Sequence, residues 1–600
     1  MDLESRVPEV TEEKLVEIRE KYRIERDRRV VDSGRRQFRD LAEDFPDFSK
    51  DPWALEPVNR EILDDEVEVI IVGAGFGGLL MGASLRKIGI ERIRLIDVAA
   101  GVGGTWYWNR FPGARCDVES YVYMPLLEEL GYIPSEKYVT GEEILHYCER
   151  IADHFDLYRD ACFQTEVKSM QWDEASARWH VRTEQGDTMR AQYVCMSTGI
   201  LHRGKLPGLP GIETFRGTMF HTSRWDYDYT GGSPTEPMDR LADKRVAMVG
   251  TGATAIQCIP ELAASAAHLY VFQRTPSTID VRGNAATDPG WAAQLQPGWQ
   301  QQRMDNFDHV TSGVRVDNDI VSDGWSDINH RMLSYIAEKT DELPAEQLAR
   351  LPEVFDLLKM EELRERVDAL VDDADTAALL KPWYRRLCKR PCFHDEYLQT
   401  YNRDNVTLVD TDGKGVEAIS ANAIIANGRS YEVDCIVFAT GFDFFNDFER
   451  RARCEVTGVA GQDLNAKWAE GIESLHGMQT SGFPNWFVLG NLQSTATVSW
   501  THTLQEQARH IAYIIGQVRE RGAESVDVSP QAEAAWVETI LGRDTSSREL
   551  FDQCTPSYYN LEGKSHERAD KNGAIMPPRE FFEMMQDWRA SGELAGLELR

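Results

Sequence analysis

The sequence predicts an α/β fold, and three observations support this class. Two apolar strands, at residues 67–72 and 245–249, each run into a glycine-rich turn and then into a helix. A second apolar strand follows each unit, at residues 93–96 and 269–272. This order of strand, turn, helix and strand is that of a Rossmann-like unit. Because 600 residues are too many for a single core, we expect two such domains.

The composition is that of a folded and strongly acidic protein. Apolar residues make up 42% of the chain, its net charge is -33 and its pI is near 4.9. Such a charge repels nucleic acids and anionic membranes, so neither is expected as a partner. The longest apolar run, residues 69–83, is too short to span a bilayer and contains five glycines. Since charge begins at Asp2, no leader is expected, and the predicted location is cytoplasmic.

The ten cysteines show neither CxxC nor CxxxxC spacing. The sequence therefore predicts no redox disulfide and no zinc site, and no metal is expected. Cys388 and Cys392 have CxxxC spacing, and we interpret them as buried wall residues rather than as redox partners.

The first 65 residues are dense in charge. A helix is expected to begin near Thr11, with Leu15, Ile18 and Tyr22 on one face. We expect this extension to pack against a larger body, and an interaction tail is the alternative. No residue in it indicates chemistry.

The first glycine-rich turn has the spacing that a pyrophosphate requires. Gly73 allows the tight turn, Gly75 lets the backbone approach phosphate, and Gly78 lets the helix pack on the strand. Asp97 ends the next strand, 19 residues after Gly78, where an acid accepts hydrogen bonds from a ribose diol. Glycine-rich turns also occur for purely structural reasons, but this combination predicts an adenine dinucleotide.

Residues 103–117 hold several large aromatic side chains, two arginines and an acid. Aromatic residues at this density are also found in ordinary cores. Their position just past the ribose acid favours a wall around a flat isoalloxazine ring.

The second unit ends differently from the first. After the turn at residues 250–255 and the strand at 269–272, an arginine, Arg274, stands where the first unit has an acid. An arginine there is suited to a 2'-phosphate that an aspartate would repel, although a solvated charge is the alternative. The first unit is therefore interpreted as FAD-binding and the second as NADPH-binding.

The remaining chain is predicted in outline. Between 285 and 385 the pattern is helical, with Leu363, Val367, Leu370 and Val371 on one face, and it either covers a substrate cavity or simply packs. Strands are expected near residues 402–406, 434–441 and 482–490, with helices at 503–518 and 580–588. The strand at 434–441 is expected to rejoin the flavin sheet.

The predicted division is an N-terminal helical extension (1–65), the FAD-binding domain in two parts (66–210 and 401–520), the NADP-binding domain in two parts (211–284 and 386–400), a helical insertion (285–385) and a tail (521–600).

Between the two units lies the pattern FxGxxxHxxxW, formed by Phe215, Gly217, His221 and Trp225. Residues 104–117 fit GxWxxxx[FY]PGxxxD, and residues 434–441 fit DxxxxATG. In these patterns the chain resembles the flavin-dependent Baeyer-Villiger monooxygenases over about residues 66–560. Its long N-terminal region resembles that of members similar to cyclopentadecanone monooxygenase, which take macrocyclic or polycyclic ketones.

The resemblance implies the reaction and the catalytic residues. NADPH reduces FAD, oxygen adds at flavin C4a, and the resulting peroxide attacks a ketone to give an ester or lactone. Arg390 matches the catalytic arginine, and Asp117 matches the acid that orients it. His221 is either catalytic or a hinge between domains, and the hinge is favoured. The residues expected to contact the cofactors are Gly73, Gly75, Phe76, Gly78, Asp97, Gly104, Thr105, Trp106, Arg115, Cys116, Asp117, Tyr123, Val167, Gly250, Thr251, Gly252, Ala253, Thr254, Gln257, Arg274, Thr275, Lys389 and Tyr558.

Other functions share parts of this pattern. An N- or S-oxidising flavin monooxygenase has both nucleotide units but usually lacks the tryptophan found here as Trp225. A disulfide reductase is disfavoured because the cysteine pair is missing, and a flavin-binding sensor would bind FAD without turnover. The expected partners are a small ketone and O2, and we expect a monomer or a small homo-oligomer.

Overall fold

A computed structural model describes residues 4–40, 45, 48, 50–339, 343–443, 448, 452–490, 492–544 and 548–600. Two large sheets organise these residues, one with eight strands and one with five. Helices pack against both sheets, so each forms a Rossmann-like layer. The predicted fold class is confirmed.

The first sheet is centred on Glu66–Val72, which lies parallel to Ile93–Ile96 on one side and to Thr188–Met196 on the other. Val69, Ile70 and Ile71 are fully buried, as a central parallel strand covered on both faces requires. In spatial order its strands are Glu455–Thr457, Val167–Asp173, Arg178–Thr183, Thr188–Met196, Glu66–Val72, Ile93–Ile96 and Ala161–Cys162, with Trp486–Val488 also paired to Thr188–Met196.

The second sheet is entirely parallel. Arg245–Val249 lies at its centre, between His268–Gln273 and Cys435–Phe438. In spatial order its strands are Val406–Asp410, His268–Gln273, Arg245–Val249, Cys435–Phe438 and Thr218–His221.

One strand assignment is wrong. Cys435–Phe438 was expected to rejoin the flavin sheet, but it pairs with Arg245–Val249 and Thr218–His221 in the second sheet. Val406–Asp410 lies in the same sheet, so the return to the first domain at residue 401 is placed too early. The apolar pattern of a buried parallel strand is the same in either sheet, so the sequence did not distinguish them. The later strand, Trp486–Val488, does pair with the first sheet.

The region predicted as a helical insertion is helical. Its longest helix is Ala345–Leu370, which buries Leu363 and Val367, and Val371 is buried just beyond its end. The other helices of this region are Pro289–Ala292, Trp299–Thr311, Asp327–Lys339 and Ala374–Leu380.

The N-terminal extension packs on this insertion. Its helix, Glu12–Asp27, begins after Thr11, whose side chain accepts a hydrogen bond from the backbone N–H of Lys14. Leu15 is fully buried among side chains of Ala345–Leu370, with Ile18 packed beside it. The expectation that the extension packs against a larger body is confirmed.

The remaining helices cover the first sheet or form the tail. Trp500–Glu520 packs on Phe76–Lys87, the helix that follows the first glycine-rich turn. No helix in the described part of the chain is long and apolar enough to cross a membrane. The other α-helices among the described residues are Thr105–Trp108, Ser120–Tyr123, Leu127–Leu130, Gly141–His154, Tyr227–Thr230, Ala255–Ser265, Leu464–Lys467, Pro530–Gly542, Arg548–Gln553 and Pro578–Ser591.

Short sheets complete the described structure. They pair Phe38–Asp40 with Lys205–Pro207, Ile279–Asp280 with Cys392–Phe393, Val526–Val528 with Leu597–Leu599, and Ala423–Ala426 with both Ala418–Ile419 and Arg429–Glu432.

A disulfide joins Cys388 to Cys554. The sequence predicted no redox disulfide and interpreted Cys388 as a buried wall residue. Cys388 is buried, but its sulfur is bonded to Cys554. The partner lies 166 residues away along the chain, so no local spacing reveals the pair. Cys392 is a free, buried thiol, as interpreted from the sequence. The bond ties the tail to the segment that immediately precedes Lys389 and Arg390.

Candidate active site

One large cavity, about 1260 Å³ in volume, brings the two glycine-rich turns together. Both turns follow the carboxyl ends of parallel strands, where ligands of open α/β sheets bind. All the residues predicted to contact the cofactors line this cavity except Gly78. Gly78 serves packing instead, because a Cβ there would lie 1.8 Å from the carbonyl oxygen of Gly73.

The first turn has the shape of a phosphate cradle. Gly73 has φ +105°, and a Cβ on it would meet the carbonyl oxygen of Ser197 at 2.2 Å, so only glycine fits. Gly75 and Gly104 both line the cavity with their backbones in contact, because a Cβ on Gly104 would lie 2.6 Å from the Cα of Gly75. These glycines keep the backbone open to a pyrophosphate, so the residues present fit FAD.

Asp97 lies where the ribose acid is expected and also holds the turn. Its Oδ2 accepts a hydrogen bond from the N–H of Ala74 at 2.5 Å, and its Oδ1 accepts one from Ala99 at 2.8 Å. Burial raises the pKa of Asp97 to about 6 although these bonds oppose the rise. The carboxylate therefore fixes the glycine-rich turn against the second strand while it lines the cavity.

The second turn leaves room for a second dinucleotide. Gly252 lines the cavity, and no atom lies within 4 Å of the position that its Cβ would take. Gln257, on the following helix, accepts a hydrogen bond from the N–H of Arg115 at 2.9 Å. This bond joins the flavin-side segment to the second unit, so the two cofactor sites share one wall.

Arg390 and Asp117 meet on the cavity wall. The guanidinium donates from Nε to Asp117 Oδ2 at 2.8 Å and from Nη2 to Oδ1 at 2.7 Å, a bidentate pair. Burial lowers the pKa of Arg390, but the attraction of Asp117 outweighs it and raises the pKa well above its ordinary value. Arg390 is thus a permanent cation held in one orientation, and the two residues predicted to act together do lie together.

Trp325, in the helical insertion, completes this pair and was missed by the sequence reasoning. Its Nε1 donates to the carbonyl oxygen of Asp117 at 2.8 Å, and its ring lies 5.1 Å from Cζ of Arg390. Nothing in the local sequence around Trp325 signals this contact with a residue 208 positions earlier.

His221 lies at the end of strand Thr218–His221, in register with Phe438. It is fully buried and is not on the cavity wall that the described residues form. Its Nδ1 accepts from the N–H of Ser223 at 3.2 Å, and burial together with Arg224 lowers its pKa to about 3. A buried imidazole away from this wall favours the hinge interpretation over the catalytic one, and the role of His221 stays a prediction.

Arg274, Lys389 and Tyr558 reach the cavity from three separate segments. Burial and the nearby Arg274 lower the pKa of Lys389 to about 8. Burial raises the pKa of Tyr558 well above its ordinary value, so its hydroxyl stays protonated and able to donate. Its expected contact with a cofactor stays a prediction.

The N-terminal extension also reaches the cavity, although no chemistry was expected in it. Val31, Ser33, Gln37 and Phe38 line the wall. The Oε1 of Gln37 accepts a hydrogen bond from Nη1 of Arg274 at 3.1 Å. These residues follow the helix in a segment without periodicity, so no pattern in the sequence indicates their role.

Known relatives match the chain along nearly its whole length. Neopentalenolactone D synthase of Streptomyces avermitilis is 52% identical over 97% of this chain and 99% of that protein. A Baeyer-Villiger monooxygenase of Streptomyces coelicolor is 45% identical over 97% of this chain and 96% of the relative. The chain belongs to the Baeyer-Villiger monooxygenase family. The predicted family is confirmed, and with it an enzyme that depends on FAD and NADPH.

Solved structures of Baeyer-Villiger monooxygenases agree with this assignment. A polycyclic ketone monooxygenase from the fungus Thermothelomyces thermophila superposes with a TM-score of 0.89 at 37% identity, covering 98% of this chain and 99% of that one. A steroid monooxygenase bound to NADP gives a TM-score of 0.72 at 31% identity, covering 89% and 99%. The family model described as pyridine nucleotide-disulphide oxidoreductase matches residues 70–317, which include both glycine-rich turns.

Proposed function

We propose that this Baeyer-Villiger monooxygenase converts a large cyclic or polycyclic ketone into a lactone. One observation carries the proposal: the bidentate Arg390–Asp117 pair lies on the wall of a cavity that both nucleotide turns also line. The substrate class is supported by the similarity to neopentalenolactone D synthase and to a polycyclic ketone monooxygenase, and by the cavity volume of about 1260 Å³.

The two cofactors are assigned to separate parts of the cavity. Gly75, Gly104 and Asp97 would hold FAD, whereas Gly252 and Arg274 would hold NADPH. When bound, NADPH supplies a hydride to FAD, and the reduced flavin supplies the electrons that activate O2. Everything else in the reaction depends on how the chain positions and stabilises charge.

Arg390 supplies the fixed positive charge. Because its pKa lies well above the ordinary value, the guanidinium does not give up a proton at any working pH and cannot neutralise an anion beside it by proton transfer. It stabilises the negative charge that develops on the ketone oxygen during attack. A lysine at the same place would carry a proton that it can lose.

Asp117 is a positioning residue in this scheme. Its carboxylate binds the edge of the guanidinium formed by Nε and Nη2 and makes no bond to Nη1. Trp325 in turn holds the backbone of Asp117. The cation therefore keeps one direction while substrate enters.

A ketone panel tests the proposal. The purified FAD-loaded enzyme, incubated with NADPH, O2 and monocyclic, macrocyclic and polycyclic ketones, is expected to give products 16 mass units heavier than the polycyclic substrates. The proposal fails if no ketone gains an oxygen. It also fails if amines or sulfides are oxidised while every ketone is left unchanged, which is the outcome for an N- or S-oxidising enzyme.

We also propose that the enzyme works in the cytoplasm as a monomer or small homo-oligomer, since NADPH is supplied there. Light scattering during size-exclusion chromatography measures the assembly, and a large polymer would contradict this proposal. Fractionation of the cells that make the enzyme tests its location.

A further inference from the structure

A carboxylate from the tail lies among the cations of the second nucleotide site. Glu562 is 3% exposed and lines the shared cavity. Its Oε2 accepts from Nη2 of Arg274 at 2.8 Å, and its Oε1 accepts from Nζ of Lys205 at 3.3 Å. Burial alone would raise its pKa, yet Arg274, Lys205 and Lys389 together lower it to about 2. The carboxylate is therefore fully ionised.

The backbone that carries this carboxylate is held in an unfavourable conformation. Leu561 has φ 53° and Glu562 has φ 58°, both in the left-handed region that residues with a Cβ avoid. The N–H of Glu562 donates to the carbonyl oxygen of Ser557 at 2.8 Å, and the hydroxyl of Ser557 donates to the carbonyl oxygen of Cys388 at 3.0 Å. The Cys388–Cys554 disulfide anchors the same tail. The fold thus maintains a strained turn that puts one negative charge in this place.

The cations around Glu562 suit a phosphate monoester. A phosphate monoester carries a charge of about −1.5 to −2 at neutral pH and binds to clusters of arginine and lysine. Arg274 follows the second strand of the nucleotide unit, at the position suited to a 2'-phosphate. Lys389 lies near enough that the positive charge of Arg274 lowers the pKa of this lysine. Glu562 neutralises part of the positive charge that would attract such a phosphate. Its carboxylate already accepts a hydrogen bond from Nη2 of Arg274.

We propose that Glu562 competes with the 2'-phosphate of NADP(H) for Arg274 and Lys205, and that it thereby sets how strongly the enzyme prefers NADPH to NADH. Binding of the 2'-phosphate takes over both ion pairs, and the strained turn at Leu561 and Glu562 opens. Ser557 and the disulfide keep the rest of the tail in place. This inference rests on the proposed placement of NADPH at Arg274.

Binding of NADP+ and NAD+ to the FAD-loaded enzyme tests the competition without any ketone or turnover. In Glu562→Gln the amide keeps the shape of the side chain but removes its charge. The dissociation constant for NADP+, measured by titration calorimetry, is expected to fall about tenfold, whereas that for NAD+ changes less than about twofold. Glu567→Gln, an exposed glutamate on the same tail, is the matched control and is expected to change neither constant.

Hydrogen exchange of peptides covering residues 560–566 gives a second readout. In the wild type, NADP+ is expected to speed exchange there, whereas NAD+ is not, because only the 2'-phosphate displaces Glu562. The proposal is overturned if Glu562→Gln weakens or does not change NADP+ binding, if it shifts both nucleotides equally, or if NADP+ protects the turn. If the wild type binds neither nucleotide, the proposed function itself fails, which is a different result.

Discussion

Replacing Asp117 with asparagine tests whether the orientation of Arg390 matters for oxygen insertion. The substitution preserves the side-chain shape and removes the negative charge that faces Nε and Nη2 of the guanidinium. Arg390 keeps its own charge, so the variant separates the presence of the cation from its direction. Neither side chain transfers a hydride, so we expect reduction of the flavin by NADPH to stay close to the wild-type rate.

The size of the effect follows from the geometry of the pair. Two charge-assisted hydrogen bonds, at 2.8 and 2.7 Å, hold the guanidinium. Hydrogen bonds to charged groups are worth about 1.5–3 kcal/mol each. The side chains of Arg390 and Asp117 are 35% and 19% exposed, so water screens part of this energy. We expect the transition state to lose about 1.5–2.5 kcal/mol, or roughly 10- to 70-fold in the rate of ester formation.

The assay measures ester formed and hydrogen peroxide released per NADPH oxidised. The variant is expected to oxidise NADPH while most of the electrons end in hydrogen peroxide. Glu213→Gln, which breaks an exposed ion pair with Arg39 at 3.0 Å, is the control and should stay coupled. If Asp117→Asn forms ester at the wild-type yield, the positioning role of Asp117 is refuted.

Three further predictions concern parts of the fold that support the site. Cys388→Ser is expected to lower the free energy of unfolding by about 2–4 kcal/mol, because the disulfide with Cys554 no longer restricts the unfolded chain; an unchanged thermal midpoint would contradict this. Trp325→Phe removes the hydrogen bond to Asp117, and we expect ester yield per NADPH to fall about threefold to tenfold, while an unchanged yield would argue against the contact. The pKa of His221 is lowered to about 3, so the folded protein keeps it neutral while the unfolded chain protonates it below about pH 6.5. Stability is therefore lost as the pH falls from about 6.5 towards 3, by up to about 1.4 kcal/mol per pH unit from this group. His221→Asn should reduce that slope in urea unfolding, and a slope equal to that of the wild type would show the reasoning to be wrong.

The local part of the fold was predictable because its signals are local. The turns at Gly73 and Gly250 are each recognised from consecutive residues. Strand, glycine turn and helix follow one another along the chain in the order of a βαβ unit. The insertion helix Ala345–Leu370 was visible from its apolar face. The Arg390–Asp117 pairing came from the family resemblance and not from spacing, since 273 residues separate the two.

The parts that were missed depend on contacts between distant segments. Cys554 pairs with Cys388 across 166 residues, and Gln37 reaches Arg274 across 237. Which sheet receives Cys435–Phe438 is decided by chain connectivity, since its apolar residues suit either sheet. Tertiary packing determines which distant segments pair. Sequence periodicity indicates only that a strand is buried.

The most direct test of a fixed cation at the site is rapid-kinetic analysis of Arg390→Ala and Arg390→Lys beside the wild type. Flavin reduction by NADPH, followed by absorbance under anaerobic conditions, is expected to stay within about threefold of the wild-type rate. After oxygen is admitted, ester per NADPH oxidised is expected to fall at least about a hundredfold in Arg390→Ala, with hydrogen peroxide in its place. The ester yield of Arg390→Lys should lie between the yields of the wild type and of Arg390→Ala. Ester formation by Arg390→Ala at the wild-type yield would contradict the account.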